Sequence, residues 1–324
     1  MDALRKRCTT FGRQVLGNGA FVAMAVLYVV GKMASNLLVG AKPATAARSG
    51  IMGLVMYVFG AFVIHLLSEE RGVRVSDRDA AASDKLNARI ADGTKSTPTV
   101  SGALDVRTAL ALIGLIGLVL TWNALHSVGA VGSGVPAWSG LKAAWEEWVR
   151  GLMASNAHIE GTGLIGFPNL VLYVALPALV YAMRRRPLPR MGGLKAAVPS
   201  LPFVALYIAA LCVIRGISAT SLLSLLFVML WPALGEEFLY RGVLQKALGD
   251  SFGNAVTGIV ATSFLFALSH IPAYVIAGSG LVVLRWSGLL SVMLTSFFWG
   301  YGYHRTGALW PWILIHAASD LVGF

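Results

Sequence analysis

Two adjacent carboxylates, close behind an apolar run, are the first candidates for chemistry in this sequence. Residues 235–241 read Gly-Glu-Glu-Phe-Leu-Tyr-Arg. On a helix Glu237 faces Arg241 four residues later, in the favourable order of acid before base. An acid paired in this way serves as a structural anion, which leaves Glu236 to take a proton from water and return it to a leaving amine. We therefore predict that Glu236 is the general base and that Glu237 and Arg241 support it. The alternative is an ion-paired helix end at the membrane surface.

Two histidines on later apolar segments extend this set. Phe266 and His270 share a face at the end of one segment, and His316 and Asp320 share a face of another. An ionisable side chain within a span costs about 2.5–3.5 kcal/mol on insertion scales, so each one needs a function or a polar partner. Taken singly, a histidine such as His270 is more often a polar cap or a packed core residue than a catalyst, and the His316–Asp320 pair could be a buried hydrogen bond. Taken together, a carboxylate base, a histidine that shares its water and a polar pair that holds an oxyanion suffice for peptide hydrolysis without a covalent intermediate.

The composition places these residues in a membrane. Of 324 residues, 56% are hydrophobic and 13% are charged, and the mean hydropathy is +0.71. A transmembrane helix needs about 20 apolar residues. We predict an all-α fold, a polytopic transmembrane helical bundle of about eight to nine spans, with the catalytic residues in the C-terminal spans. The predicted spans lie near 19–39, 50–67, 108–127, 164–183, 198–214, 217–235, 255–272, 286–303 and 307–323.

The charge of the chain predicts an orientation rather than a nucleic-acid partner. The net charge is +11, but the basic residues lie in short loops beside apolar spans, where positive charge marks the cytoplasmic side. This predicts a multi-pass protein of the cell membrane, the inner membrane of a bacterium, with a cytoplasmic N-terminus. The two clusters that favour this orientation are Arg5, Lys6, Arg7 and Arg13 before the first span, and Arg184, Arg185, Arg186, Arg190 and Lys195 after the fourth.

The chain divides into two predicted regions. Residues 1–195 form an N-terminal transmembrane region with a solvated cytoplasmic loop, 68–107, and an interfacial helix, 139–154, whose tryptophans anchor it in the headgroups. Residues 196–324 form the catalytic transmembrane core, because they carry almost all of the ionisable groups within spans. Six residues at or near predicted span ends are predicted to be interface anchors: Lys32, His65, His126, Arg215, Arg285 and His304.

The motifs resemble those of the CPBP intramembrane proteases, or Abi family, which include the type II CAAX prenyl endopeptidases. The resemblance implies an all-helical fold and proteolysis near the membrane surface. It implies that Glu236 and His270 activate the water, while His316 and Asp320 stabilise the oxyanion. The matching motifs are Glu236-Glu237-x-x-x-Arg241, Phe266-x-x-x-His270, Phe297-x-x-Gly300 and His316-x-x-x-Asp320, in which Phe266, Phe297 and Gly300 are packing positions.

Asp320 departs from the asparagine of eukaryotic members. An ionised aspartate cannot donate a hydrogen bond to an oxyanion, so Asp320 must be protonated or must orient His316 instead. Metal use is a second open point. Glu236, His270 and His316 could form a three-ligand zinc site, but the sequence has no His-Glu-x-x-His motif, and we favour a metal-free glutamate-type site without cofactor.

The expected partners are membrane lipids and a membrane-associated protein or peptide. Bacteria generally lack prenylated CAAX proteins, so the expected substrates are a leader peptide, a bacteriocin or pheromone precursor, or a C-terminal sorting anchor. We expect the cavity to open towards the cytoplasmic leaflet. The alternatives are a catalytically idle scaffold or immunity protein of the same fold, and a proton-coupled transporter. Transporters often show repeated halves, whereas the ionisable groups of this chain lie in one half.

Overall fold

The structure, a computed structural model, describes residues 2–38, 40–91, 103–127, 131, 140, 143–148, 170–189, 191–216, 218–271 and 283–322. The secondary structure in these ranges is helical, without a strand. This confirms the all-α class that was predicted from the apolar segments.

The helices are labelled α1–α10 in chain order. Helix α1 continues into a π-helical segment, Gly12–Leu16, and α5 follows another, Leu170–Ala175. The labelled helices are α1 (Asp2–Phe11), α2 (Gly19–Leu38), α3 (Pro43–Ala91), α4 (Val106–Ser127), α5 (Leu176–Met183), α6 (Leu194–Arg215), α7 (219–252), α8 (Ala255–Ser269), α9 (Val283–Thr306) and α10 (Trp310–Val322).

Four helices in the described residues are long and apolar enough to cross a membrane, judged by length and composition. They are α2, the Pro43–Ser68 part of α3, α6, and the Ser221–Phe252 part of α7. Three shorter apolar helices accompany them: Val106–Trp122, Leu170–Met183 and α8. Each segment that was predicted as a span contains a helix. The protein is therefore a membrane protein of the predicted polytopic class.

The last helix is less apolar than a lipid-facing span because it lies inside the bundle. Within α10, every residue of 311–319 except Leu314 is buried, including His316. Helix α9 likewise buries Ser296. Ionisable and polar groups are tolerated in such helices because other helices, rather than lipid, surround them. Helices α9 and α10 can therefore present polar side chains to α7.

The segment 68–107 is helical through Ala91, which corrects the predicted loop. Residues 73–91 contain neither proline nor glycine, and their alanines and alternating charges favour a helix. Helix α4 then begins after Asp105, whose carboxylate accepts hydrogen bonds from Thr108 N at 2.9 Å and Thr108 Oγ1 at 2.7 Å. These hydrogen bonds lower the pKa of Asp105 and cap the first turn of α4.

Only part of the predicted interfacial helix 139–154 falls within the described residues. Residues 143–148 are helical. The Trp145 ring lies 4.8 Å from that of Trp148 and 5.5 Å from that of Trp231 on α7, between ring centroids. These contacts hold the stretch against the first half of α7. Its position in the membrane interface stays a prediction.

His65 points into the bundle, so its prediction as an interface anchor is wrong. Lys32 is half-buried and contacts a neighbouring helix, and its role as an anchor stays a prediction. Lys32 Nζ donates a hydrogen bond to Ser287 Oγ at 2.6 Å. His65 is fully buried, and its Nδ1 lies 2.7 Å from the Tyr301 hydroxyl oxygen. Both partners belong to α9, more than two hundred residues away along the chain. The position of a residue near the end of a predicted span therefore does not predict these contacts.

The N-terminal and C-terminal helices share one apolar core. Buried side chains of α1, α2 and α3 pack with those of α8, α9 and α10, as where the rings of Phe21 and Phe297 meet at 4.8 Å between centroids. Glycine permits the closest approach. A Cβ atom on Gly258 would lie 2.5 Å from the backbone nitrogen of Gly249, so α7 and α8 meet backbone to backbone at this point.

We predict that Gly258→Ala destabilises the protein by about 1–3 kcal/mol, because an added methyl group must push two backbones apart. Gly114→Ala is the matched control, since a Cβ on Gly114 of α4 meets nothing within 4 Å. This control should be neutral or gain roughly 0.5–1 kcal/mol from the lower helix cost of alanine. The measurement is the unfolding midpoint of each variant in detergent, and equal midpoints would contradict the close packing.

Candidate active site

The adjacent carboxylates occupy one α-helical turn between two π-helical segments of α7. Leu234–Glu237 follows the π-helical Met229–Ala233 and precedes the π-helical Phe238–Gln245. Pro232 lies inside the first of these segments, where its missing N–H and its ring disturb the regular hydrogen-bond ladder. π-Helical bulges frequently occur at functional sites, where they redirect side chains.

Glu237 is the buried anion of the site. Its Oε2 lies 3.1 Å from Arg241 Nε, and its Oε1 lies 2.8 Å from His316 Nδ1. A carboxylate oxygen only accepts hydrogen bonds, so Nδ1 of His316 carries the proton that it donates. Each carboxylate oxygen of Glu237 therefore has its own partner, one on α7 and one on α10. A buried charge with such partners is fixed in place.

Arg241 is enclosed by aromatic rings as well as by polar groups. Its Nη2 donates to Ser296 Oγ at 3.1 Å. Its guanidinium carbon lies 4.5 Å from the ring centroid of Phe266 and 5.6 Å from that of Trp299. The faces of aromatic rings attract cations, and the attraction is stronger where water is excluded. Phe266 thus packs the site directly, as a wall for the arginine.

Glu236 points away from this locked pair and towards two histidines. Its Oε2 lies 3.7 Å from His316 Nε2 and 4.0 Å from His270 Nε2. These separations are longer than a direct hydrogen bond and suit a bridging water molecule. The structure therefore brings Glu236, His270 and His316 from three helices to one place.

The orientation of His270 turns its Nε2 towards Glu236. Its Nδ1 donates to the Phe266 carbonyl oxygen at 2.8 Å, since a carbonyl oxygen can only accept. The ring packs against Phe266, with 4.6 Å between centroids. In the neutral ring, Nε2 then carries a lone pair and faces Glu236. The Phe-x-x-x-His motif is explained by this i, i+4 contact.

Asp320 lies at the exposed edge of the site. Its Oδ2 is 3.6 Å from His316 Nε2, the same nitrogen that faces Glu236. The Trp299 ring covers the other side of His316, with 4.4 Å between ring centroids. His316 is therefore contacted by a carboxylate at each of its nitrogens and by an indole on its face.

The Phe297-x-x-Gly300 motif serves packing rather than chemistry. Phe297 faces α2, where it meets Phe21. A Cβ on Gly300 would lie 2.6 Å from Gln245 Oε1 and 3.1 Å from Ile259 Cγ2. Gln245 Nε2 donates to the Gly300 carbonyl oxygen at 2.9 Å. Glycine at this position therefore lets α9 approach α7 and α8 below the carboxylates.

Sequence reasoning missed Ser296 and Trp299. They lie three residues apart on α9 and contact Arg241 and His316, as described above. The available signal was their position beside Phe297 and Gly300 on one helical face. A serine and a tryptophan inside a span are common enough that this signal is weak.

Within the ranges that the structure describes, no group of three His, Cys, Asp or Glu side chains is arranged to hold a metal ion. Nδ1 of His316 is occupied by Glu237. The site is therefore described through its own carboxylates and imidazoles.

The part of the chain that carries these residues matches a known protein family. The family model of the type II CAAX prenyl endopeptidase Rce1-like proteins matches residues 218–322. This part of the chain is similar to the Rce1-like family. The match covers α7–α10 and therefore every candidate site residue, and at family level it relates the chain to intramembrane CAAX-type endopeptidases. No curated protein and no solved structure matches the chain.

We predict that Arg241→Gln destabilises the protein by about 3–5 kcal/mol, because Glu237 would be left as a buried charge without its cation. Lys246→Gln is the matched control. Lys246 and Asp250 have the same i, i+4 spacing on the same helix, but they are half exposed and 3.8 Å apart, so the change should cost at most about 0.5 kcal/mol. The check is thermal unfolding of both variants in detergent. Similar losses of stability would show that the buried Glu237–Arg241 pair stabilises the protein no more than the half-exposed Lys246–Asp250 pair.

Proposed function

We propose that the protein is an intramembrane endopeptidase in which Glu236 activates water to cleave a peptide bond of a membrane-associated protein or peptide precursor. The observation that carries the proposal is the difference between the adjacent acids. Both oxygens of Glu237 are occupied by buried partners, whereas Glu236 is partly exposed and faces two imidazole nitrogens at 3.7 and 4.0 Å. Glu236 is thus the acid that can exchange a proton with a bound water.

The first step uses a water molecule between Glu236 and His270. The water donates one hydrogen bond to the Glu236 carboxylate and the other to Nε2 of His270, so that its oxygen lone pair points at the substrate carbonyl carbon. As the new C–O bond forms, one water proton passes to Glu236 and the carbonyl oxygen becomes an oxyanion. No covalent enzyme intermediate is needed, because both activating groups act on the water.

The second step returns the proton. Glu236 gives it to the nitrogen of the leaving amine, the C–N bond breaks, and the carbonyl double bond reforms. In the cationic form of His316, Nε2 carries a proton that can be donated to the oxyanion. Asp320, at 3.6 Å from that nitrogen, holds the ring in position. This assigns Asp320 an orienting role. An ionised aspartate can perform that role, whereas it cannot donate a hydrogen bond to an oxyanion.

Glu237 and Arg241 act as positioning residues. Glu237 fixes Nδ1 of His316, and Arg241 holds Glu237.

The proposed partners are membrane lipids and the peptide substrate. We place the protein in the cell membrane of a bacterium with its N-terminus in the cytoplasm, on the strength of the basic clusters before α2 and after α5.

We propose a metal-free reaction, and chelation tests this directly. Prolonged treatment of the purified protein with a chelator, followed by metal analysis, should leave activity unchanged. Loss of activity that zinc alone restores would instead assign Glu236, His270 and His316 as ligands of a catalytic zinc ion. Water activation would then belong to the metal.

The protease itself is tested by Glu236→Ala in the native host. We expect at least one terminus of a membrane or secreted protein to disappear, since loss of a general base lowers a rate by roughly 10²–10⁴. Terminal-peptide mass spectrometry of wild-type and variant cells makes the comparison. Asp250→Ala is the control, because it removes a surface acid of the same helix and should leave every terminus in place.

Identical termini in wild-type and Glu236→Ala cells, with the host phenotype intact, would contradict hydrolysis. The chain would then be a catalytically idle scaffold or immunity protein of the same fold. The terminus that depends on Glu236 identifies the substrate and the scissile bond at once.

A further inference from the structure

Exposure of the site residues falls steadily in one direction. The exposed fraction of the side chain is 44% for Asp320, 24% for His270 and 14% for Glu236, and it is 0% for Glu237 and Arg241. Asp320 and His270 stand at the C-terminal ends of α10 and α8. Access to Glu236 therefore comes from the end of the bundle at which these two helices finish. We call this end the mouth.

The mouth shares its end of the bundle with the junction of α6 and α7. Arg215, the last residue of α6, donates from Nε to the Leu321 carbonyl oxygen at the end of α10, at 2.8 Å. Ser218 caps the start of α7 by accepting from Ser221 N at 3.0 Å. Helix α7 thus runs from the mouth inwards, past Glu236 to the buried Arg241.

Interhelix contacts tie the other end of the bundle together. At this end the α9–α10 connection meets the loop after α5, where Leu309 N donates to the Met191 carbonyl oxygen at 2.8 Å. The start of α2 meets the α7–α8 connection through Asn18 Nδ2 and Asn254 Oδ1 at 3.2 Å. Three more contacts join this end: Arg305 Nε with Ser68 Oγ at 3.1 Å, Arg7 NH1 with the Leu66 carbonyl oxygen at 2.6 Å, and Arg184 NH2 with Thr108 Oγ1 at 3.4 Å.

Positive charge is concentrated at this second end, which we call the basic face. Among the described residues, the mouth end carries fewer cations, which include Lys42, Arg48 and Arg215. Positive charge in short loops and beside spans marks the cytoplasmic side. The basic face therefore lies in the cytoplasm. Its described cations include Arg5, Lys6, Arg7, Arg13, Arg107, Arg184, Arg185, Arg186, Lys195 and Arg305.

We propose that the mouth opens at the extracytoplasmic face of the membrane and that the substrate is a membrane-anchored polypeptide whose scissile bond lies at that face. The proposal rests on the peptidase function proposed above. It replaces the expectation of a cavity open to the cytoplasmic leaflet, because the helix directions place the mouth and the basic clusters at opposite ends. A cytoplasmic N-terminus and a cytoplasmic mouth exclude each other in this fold.

This geometry selects among the substrate classes considered for the chain. A leader peptide or an anchor whose cleavage site has been translocated presents its peptide bond at the mouth. A lipid-modified C-terminus of a cytoplasmic protein would approach the basic face, where Glu237, Arg241 and Gln245 are buried beneath packed helices. The substrate class is therefore a translocated precursor with a membrane anchor.

Cysteine labelling in spheroplasts of a bacterial expression host tests the orientation. The full chain carries Cys8→Ser and Cys212→Ser, which removes both native thiols. Single reporter cysteines are then added on each side: Ser218→Cys near the mouth, Ser269→Cys beside His270, and the exposed Leu188→Cys on the basic face. A membrane-impermeant sulfonated maleimide is applied before and after lysis.

We expect Ser218→Cys and Ser269→Cys to react in intact spheroplasts and Leu188→Cys to react only after lysis. Reaction of Leu188→Cys in intact spheroplasts, or of the two mouth reporters only after lysis, would overturn the proposal. If Ser269→Cys does not accumulate, Asp320→Cys reports on the same opening. Labelling needs no turnover, so a reversed orientation would leave the proposed peptidase standing, and an idle protein would still give a clear orientation.

Discussion

The site depends on one buried anion, Glu237, and on its two partners. In an apolar bundle an unpaired charge is costly, and the cost is offset by a nearby opposite charge and by hydrogen bonds. The Arg241 guanidinium lies 3.1 Å from one oxygen of Glu237, and His316 donates a hydrogen bond to the other. Their own neighbours then follow: aromatic rings and Ser296 around the guanidinium, and an indole over the imidazole. With Arg241 and His316 Nδ1 both in contact with Glu237, the neighbouring Glu236 makes no such close ion pair. It faces the partly exposed side of the site, where His270 and His316 Nε2 lie.

The elements that the sequence does predict are those set by local spacing. The i, i+4 relation brings Glu237 to Arg241 and Phe266 to His270 without knowledge of the fold. The apolar segments predict the helices, because a chain in lipid must satisfy its backbone hydrogen bonds within each segment. The convergence of three polar motifs was predictable for a different reason, since isolated ionisable groups are too costly in a bundle to stand apart.

The features that the sequence does not predict depend on contacts between distant parts of the chain. Ser296, Trp299 and the burial of His65 arise from the packing of α9 against its neighbours, which no local pattern encodes. The helix that continues to Ala91 was missed because mixed charges are typical of both a solvated loop and a solvated helix. The direction of the mouth required the helix directions and the contacts at both ends of the bundle, so the predicted orientation of the N-terminus does not by itself give the side on which the cavity opens.

The most direct test of this account compares Glu236→Gln with Glu237→Gln in thermal unfolding in detergent. Both changes keep the shape of the side chain and remove its charge. The account predicts that Glu237→Gln loses about 3–5 kcal/mol of stability, because it leaves Arg241 buried without its anion, while Glu236→Gln unfolds like the wild type. Equal losses, or a larger loss for Glu236→Gln, would show that the two acids do not divide the structural and chemical roles as described.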